Sequence, residues 1–225
     1  MQTKKTNENN AKVKLYNEDC ITGAKQHIAD KCVDLIICDP PFGIKEGKFC
    51  NQYNRKHEHV IAGYCEAPND YFEFSKNWIG EAKRILREDG SMYIISGWSE
   101  LRHILNAIEY NQLSVINHLI WKYNFGLYTQ RKYVSSHYHI LFINKSAKST
   151  FHFNPSCRFG RDAKTNTNGS AQYQDLEDVW TIRKEFQKGR IKNINKLPDE
   201  LVKKMIQYSS APGHTVCDFF MGNFT

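Results

Sequence analysis

A chain of 225 residues, 40% hydrophobic and 13% aromatic, is long enough to bury one core and argues for a single domain. A mean hydropathy of −0.61 without any run of about twenty apolar residues excludes a membrane-spanning helix, and the polar opening stretch lacks an apolar signal region, which points to the cytoplasm. Lys and Arg number 31 against 24 acidic residues, a net +7 that suits a polyanionic partner, although enzymes without one share such a balance.

In chain order, residues 1–12 are expected to be flexible, and one domain is expected over 13–225. Val13 to Asn17 reads as a short first strand, followed by an amphipathic stretch through His27. Val33 to Cys38 is nearly continuously apolar, as a strand covered on both faces would be. Residues 43–68 have no clear period and predict a long loop. From Asp70 to Leu86, Phe72, Phe74, Trp78, Ile79, Ala82, Ile85 and Leu86 recur at helical spacing. Glu88-Asp89-Gly90 predicts a break, and Ser91 to Ser96 the next strand. A helix over Glu100 to Tyr110, strands over Ser114 to Trp121 and Tyr138 to Asn144, and a second irregular region from Lys145 to about Glu177 follow. Leu197 to Tyr208 reads as a helix with Pro198 in its first turn, and Thr215 to Phe220 as a final strand. Strands alternating with helices predict a parallel-rich α/β sheet.

Seven cysteines (Cys20, Cys32, Cys38, Cys50, Cys65, Cys157 and Cys217) form no CxxC pair and read as reduced thiols. Cys50, His57, His59 and Cys65 carry zinc-ligand chemistry, but their spacing matches no common finger, and no metal is expected. Residues 183–204 concentrate Arg183, Lys184, Lys188, Arg190, Lys192, Lys196, Lys203 and Lys204 against three acids, a pattern that fits a solvated face or a polyanion contact equally.

The sharpest chemical signal is Asp39-Pro40-Pro41-Phe42 at the carboxyl end of the apolar strand, the edge where open α/β sheets bind ligands. Two prolines end the strand and stiffen a turn, so the Asp39 carboxylate and a backbone carbonyl become fixed acceptors, with the Phe42 ring as a stacking face. Acceptors on both hydrogens of an exocyclic amino group favour a pyramidal nitrogen and free its lone pair for attack on a sulfonium methyl group. No covalent intermediate and no catalytic cysteine are required. The base must leave the duplex to reach such a site.

With these motifs the chain resembles the β-type (circularly permuted) DNA amino-methyltransferases, N6-adenine or N4-cytosine, in which a DPPY/DPPF motif precedes the cofactor loop. The resemblance runs from about Val13 to Thr225 and implies a Rossmann-like sheet in permuted order, S-adenosyl-L-methionine as cofactor and double-stranded DNA with a flipped base as partner. It implies catalytic roles for Asp39, Pro40, Pro41 and Phe42. Tyr16-Asn17-Glu18-Asp19-Cys20 resembles the opening strand and its cofactor acid, which places Asp19 and Cys20 with Asp39 at the cofactor. Asp70 to Trp98 resembles the helix and strand of the target-base pocket, and Trp121-Lys122 with Arg131 through His139 the segment before the recognition region. Asn195-Lys196-Leu197-Pro198 resembles the motif at the methionine end of the cofactor. Asp218-Phe219-Phe220-Met221-Gly222-Asn223-Phe224-Thr225 resembles the cofactor loop, with Asp218, Phe220, Gly222 and Thr225 as its contacts. Phe219, Asn223-Phe224 and Tyr138 depart from the family's usual Pro, Ser-Gly and Glu.

The family pattern also implies a strand after the loop, so the sheet is expected to lack its last strand or strands, or to be completed by a homodimer partner or second polypeptide. DNA contacts are expected from Arg55 and Lys56 in the target-base loop 43–68, from Arg131, and from Arg158, Arg161 and Lys164 in a recognition region over 145–180. An initial Asp in the motif favours adenine. The alternatives are N4-cytosine modification and a truncated, inactive DNA-binding remnant.

Overall fold

The computed structural model describes residues 12–41, 70–124, 126, 130–159, 175–185 and 196–221. Their elements are α1 (Cys20–His27), β1 (Val33–Cys38), α2 (Tyr71–Ile85), β2 (Leu86–Ser96), α3 (Leu101–Tyr110), β3 (Ser114–Lys122), β4 (His137–Asn144), β5 (Val179–Thr181), α4 (Asp199–Ser209) and β6 (Val216–Cys217). The sheet order is β5-β3-β4-β2-β1-β6. Only β4 runs against the rest, so the sheet is parallel-rich as expected.

Helices cover both faces. Val33, Ile36, Cys38, Met92, Ile94, Leu141 and Ile143 pack under Trp78, Ile79, Ala82 and Ile85 of α2 and Ile104, Ala107 and Ile108 of α3. Leu35, Ile37, Tyr93, Ile95, Ile140 and Phe142 meet Leu201 and Met205 of α4 on the other face. A strand buried on both sides needs apolar residues at every position, which is why β1 has no polar alternation. Helix α2 starts where Asp70 accepts from the Glu73 N–H at 3.0 Å, and α1 where Asp19 accepts from Thr22 at 3.0 Å. Arg84 ties the two helices together, donating to the Ala24 carbonyl at 2.8 Å and the Ile28 carbonyl at 3.0 Å.

Four expectations need correction. Val13 to Asn17 is not a strand: Val13, Leu15 and Tyr16 are exposed and form no ladder, and Tyr16 instead stacks on His27 at 4.7 Å. Pro198 is the N-cap of α4 and precedes its first turn, because the helix begins at Asp199. The final strand is only Val216–Cys217. Glu88-Asp89-Gly90 does not end the strand segment, since β2 begins at Leu86 and pairs with Val33 before a register shift brings Ser91 opposite Leu35. The extra residues form a bulge. There a Cβ on Gly90 would lie 2.8 Å from Leu86 Cδ1 and 3.0 Å from the Asp34 carbonyl oxygen. Gly90→Ala is therefore expected to cost about 1–3 kcal/mol by overpacking. Urea unfolding checks it, and an unchanged midpoint would mean the bulge yields freely.

Candidate active site at the carboxyl edge of the sheet

Because β1, β2, β3, β5 and β6 share one direction, the residues that follow them emerge at a single edge. That edge carries Asp39 after β1, Asp218 after β6, Gly97 and Trp98 after β2, Tyr123 after β3 and Lys184 after β5. The start of antiparallel β4 adds His137 and Tyr138, with Tyr123 N–H donating to the Ser136 carbonyl at 3.0 Å.

Leu35 and Ile37 point to the α4 face, and Asp39, two residues further on, continues that parity. Pro40 behind it is buried and Pro41 half-buried, and neither has an N–H to extend the ladder. Pairing of Leu35 with Val216 and Ile36 with Cys217 sets Asp218 level with Ile37, on the same face as Asp39. Asp218 Oδ1 accepts from the Phe220 N–H at 2.8 Å. Enclosure pushes the Asp39 carboxyl up to about 7, the negative charge of Asp218 adds to the rise, and Lys184 opposes it. Enclosure likewise raises Asp218 to about 6, against the Phe220 N–H. Two carboxylates held in a confined edge repel one another and favour a cationic occupant.

On the α1 side, Cys20 packs against the first core with Ile21. Burial raises the Cys20 and Cys217 thiols to about 12 and the Cys38 thiol well above its ordinary range, so none supplies a thiolate nucleophile. On the α4 side, Lys196 Nζ lies 2.7 Å from Asp199 and 3.9 Å from Glu185, while Glu185 Oε1 accepts from the Asp199 N–H at 2.9 Å. This clasp holds the segment after β5 against the start of α4. Lys184 itself lies over aromatic rings, its Nζ 4.5 Å from the Tyr123 centroid, 4.9 Å from Tyr138 and 5.9 Å from Trp121.

The model of the DNA methylase family matches residues 33–225. The chain belongs to that family. The methylase is 27% identical to the type II methyltransferase M.HinfI of Haemophilus influenzae over 94% of its own length and 59% of that relative's. It spans about half to three-fifths of the length of such curated relatives. Among solved structures, the M1.HpyAVI–SAM complex superposes with a TM-score of 0.60 at 20% identity, covering 93% of this chain and 82% of that one. PvuII DNA methyltransferase, described as cytosine-N4-specific, gives 0.64 at 12% identity over 90% and 72% of the two chains.

In the methylase, then, Asp39, Pro40, Pro41 and Asp218 meet at one edge, with Lys196 and Pro198 at the start of the helix that covers the same face. Asp19 spends one carboxylate oxygen on capping α1. The Phe220 ring packs against Trp78 at 5.2 Å and Phe74 at 6.2 Å, so this residue is tied to α2. Arg131 lies exposed in the β3–β4 connection at the same edge. Arg158, expected as a DNA contact, has its guanidinium paired with Asp175 at 2.7 Å, with Glu200 and with Gln207 at 3.0 Å, which ties it to α4 and to the residues before β5. Phe42, Arg55, Lys56, Arg161, Lys164, Asn195, Gly222 and Thr225 lie outside the described residues, as do Cys50, His57, His59 and Cys65. Two further residues stand at this edge: Lys184, which the sequence placed only in a basic run, and Trp98, the end of the segment that resembles the target-base pocket, which is 82% exposed.

Proposed function

We propose that this methylase transfers a methyl group from S-adenosylmethionine to the exocyclic amino group of a base in a specific DNA site, adenine being the target, in the cytoplasm. The observation that supports it most is Asp39 at the end of a buried strand, backed by two prolines and set beside Asp218 at the open edge. The donor set suits the methyl donor. The negative charge of Asp218 raises the Asp39 carboxyl, and a sulfonium compound brings a cation to that edge. Asp218, Asp19, Cys20, Lys196 and Pro198 are the described residues that would hold it. When bound it supplies an electrophilic methyl group.

The chain's own residues do the remaining work. The Asp39 carboxylate and the Pro40 carbonyl accept the two amino hydrogens, so the nitrogen lone pair leaves conjugation with the ring. As the new C–N bond forms, the nitrogen sheds one proton, and a carboxylate with a pKa of about 7 suits the task of receiving it near neutral pH. The exposed Trp98 ring offers a face to replace the stacking lost by an extruded base. The residues at 43–68 and 145–180 are the proposed DNA-facing segments. No described strand pairs with the outer edge of β6, and a second copy or another polypeptide adding a strand there belongs to the same proposal.

Incubation with methyl-labelled S-adenosylmethionine and mixed-sequence DNA, followed by nucleoside analysis, tests this reading. N6-methyladenine is the expected product, N4-methylcytosine would move the target to cytosine, and label in neither would refute the activity. For the interface, Arg131→Ala is expected to lower the slope of log affinity against log salt by about 1, uniformly across sequences. An identical slope would remove Arg131 from phosphate contact.

A further inference from the structure

We propose that His139 of β4 is a base-binding residue: its Nε2–H donates to a ring nitrogen or ring carbonyl of the extruded base that stacks on Trp98. The proposal rests on the methyltransferase reading and assigns a residue outside it. Two observations meet at this side chain. His139 is 6% exposed, and its Nε2 has no hydrogen-bond partner among the described residues. A buried polar atom left unpaired is costly, and a site retains one where a ligand completes it. The largely exposed Trp98 ring lies against the imidazole, with 6.4 Å between centroids and 42° between planes. A flat face and an unmet polar atom are thus set side by side where β2 ends and β4 begins. Trp98 is little restrained, and turning of its side chain opens the approach to Nε2.

Strand register places His139 relative to the turn that grips the amino group. Cys38 of β1 pairs with Ile94 of β2, and two residues further on Pro40 falls level with Ser96. Ser96 is itself paired with His139. Pro40 and His139 are therefore two strands apart, about 10 Å at the usual spacing, a span that one base bridges.

The polarity of Nε2 is set from behind. His139 Nδ1 lies 2.8 Å from His118 Nε2, so one of these nitrogens donates and the other accepts. Burial, helped by His118 and His137, lowers the His139 pKa to about 4, so near neutral pH the ring is uncharged and carries one N–H. An amino group held by Asp39 and Pro40 leaves adenine or cytosine with acceptors alone on its remaining edges. Nε2 must then carry the N–H, and His118 must donate to Nδ1. The other tautomer would set a lone pair against a lone pair.

Imidazole nitrogen NMR of the full wild-type chain reads this tautomer directly. The Nε2–H form of His139 is expected, and the Nδ1–H form overturns the proposal. With S-adenosylhomocysteine filling the cofactor site, adenosine or cytidine monophosphate at millimolar concentration should shift the Nε2 signal as it gains an acceptor. A signal unmoved by both nucleotides overturns the contact. In turnover, His139→Leu is expected to lower kcat/KM for DNA about 10-fold, and His139→Gln, with an N–H near the same point, to restore part of it. Should His139→Leu fail to fold, the wild-type spectra decide alone. An unchanged kcat/KM in His139→Leu overturns the role of His139 and leaves methyl transfer standing. A wild-type chain that shifts the His139 signal yet methylates no DNA keeps the base contact and refutes the transfer.

Discussion

Asp39→Ala is expected to lower the rate of methyl transfer about 10²–10³-fold, the scale on which removal of one preorganised hydrogen-bonding partner acts in a water-poor site. The fold should survive, since Asp39 follows β1 and takes no part in its ladder. Asp39→Asn retains one carbonyl acceptor and should fall between the two. Single-turnover rates with labelled cofactor check the series, and a full rate in Asp39→Ala would take this residue out of the mechanism. The pH dependence carries a sign that separates chemistry from folding. With its carboxyl raised to about 7, Asp39 gains a proton as pH falls through that value, so activity should decline on the acid side. Stability should move the other way. A folded-state pKa above the unfolded value of about 3.9 means that the folded chain binds the proton more tightly, so stability is greatest below the unfolded value and is lost as pH rises through about 7. Asp39→Asn should flatten both trends, with Asp218, raised to about 6, leaving a smaller one.

Asp175→Ala is expected to produce the largest loss of stability, about 3–5 kcal/mol, because it strands a buried cation. Lys204 is only 4% exposed, lies 4.4 Å from the Trp180 centroid, and reaches Asp175 Oδ1 at 2.7 Å and its carbonyl at 2.9 Å. Desolvation already holds its pKa below the ordinary lysine value even with that partner in place. The same carboxylate accepts from the Tyr208 hydroxyl at 2.9 Å and faces Arg158 at 2.7 Å. Losing it would therefore loosen both 151–159 and 175–181 from α4, where the Asn154 N–H also donates to the Tyr208 carbonyl at 2.8 Å. Against a total of about 5–15 kcal/mol, such a loss is severe. Denaturant unfolding measures it, and pairing Asp175→Ala with Lys204→Met should recover part of it. A loss below about 1 kcal/mol would mean that water replaces the carboxylate.

These two sites were legible to different degrees. Asp39-Pro40-Pro41-Phe42 announces itself because its four residues are adjacent and their chemistry is local. The Asp175 cluster does not, because its members stand at positions 158, 175, 204 and 208, and Lys204 reads as one more charge on a solvated face until α4 buries it. Trp78, Ile79, Ala82 and Ile85 revealed α2 by their spacing, with Asp70 as cap. Val13 and Leu15 satisfy a strand's alternation equally well, yet their segment pairs with nothing described, since ladder formation depends on a neighbour that alternation cannot supply. β5 is the converse: three residues too few for any periodic signal, made a strand by pairing with Ile120, Trp121 and Lys122.

Sequence by itself determined the alternation of strands and helices, the doubly covered β1 and the acidic proline turn at its end, because each follows from hydrophobic period or from the chemistry of neighbouring residues. Tertiary structure alone decided that Asp218 stands level with Ile37 on the face that Asp39 continues, that Lys184 lies over three aromatic rings, and that Arg158 pairs with Asp175 and Glu200. Asp39 and Asp218, far apart in the chain, become neighbours only through the order of strands in the sheet, and an amino-acid string carries no distance at that range.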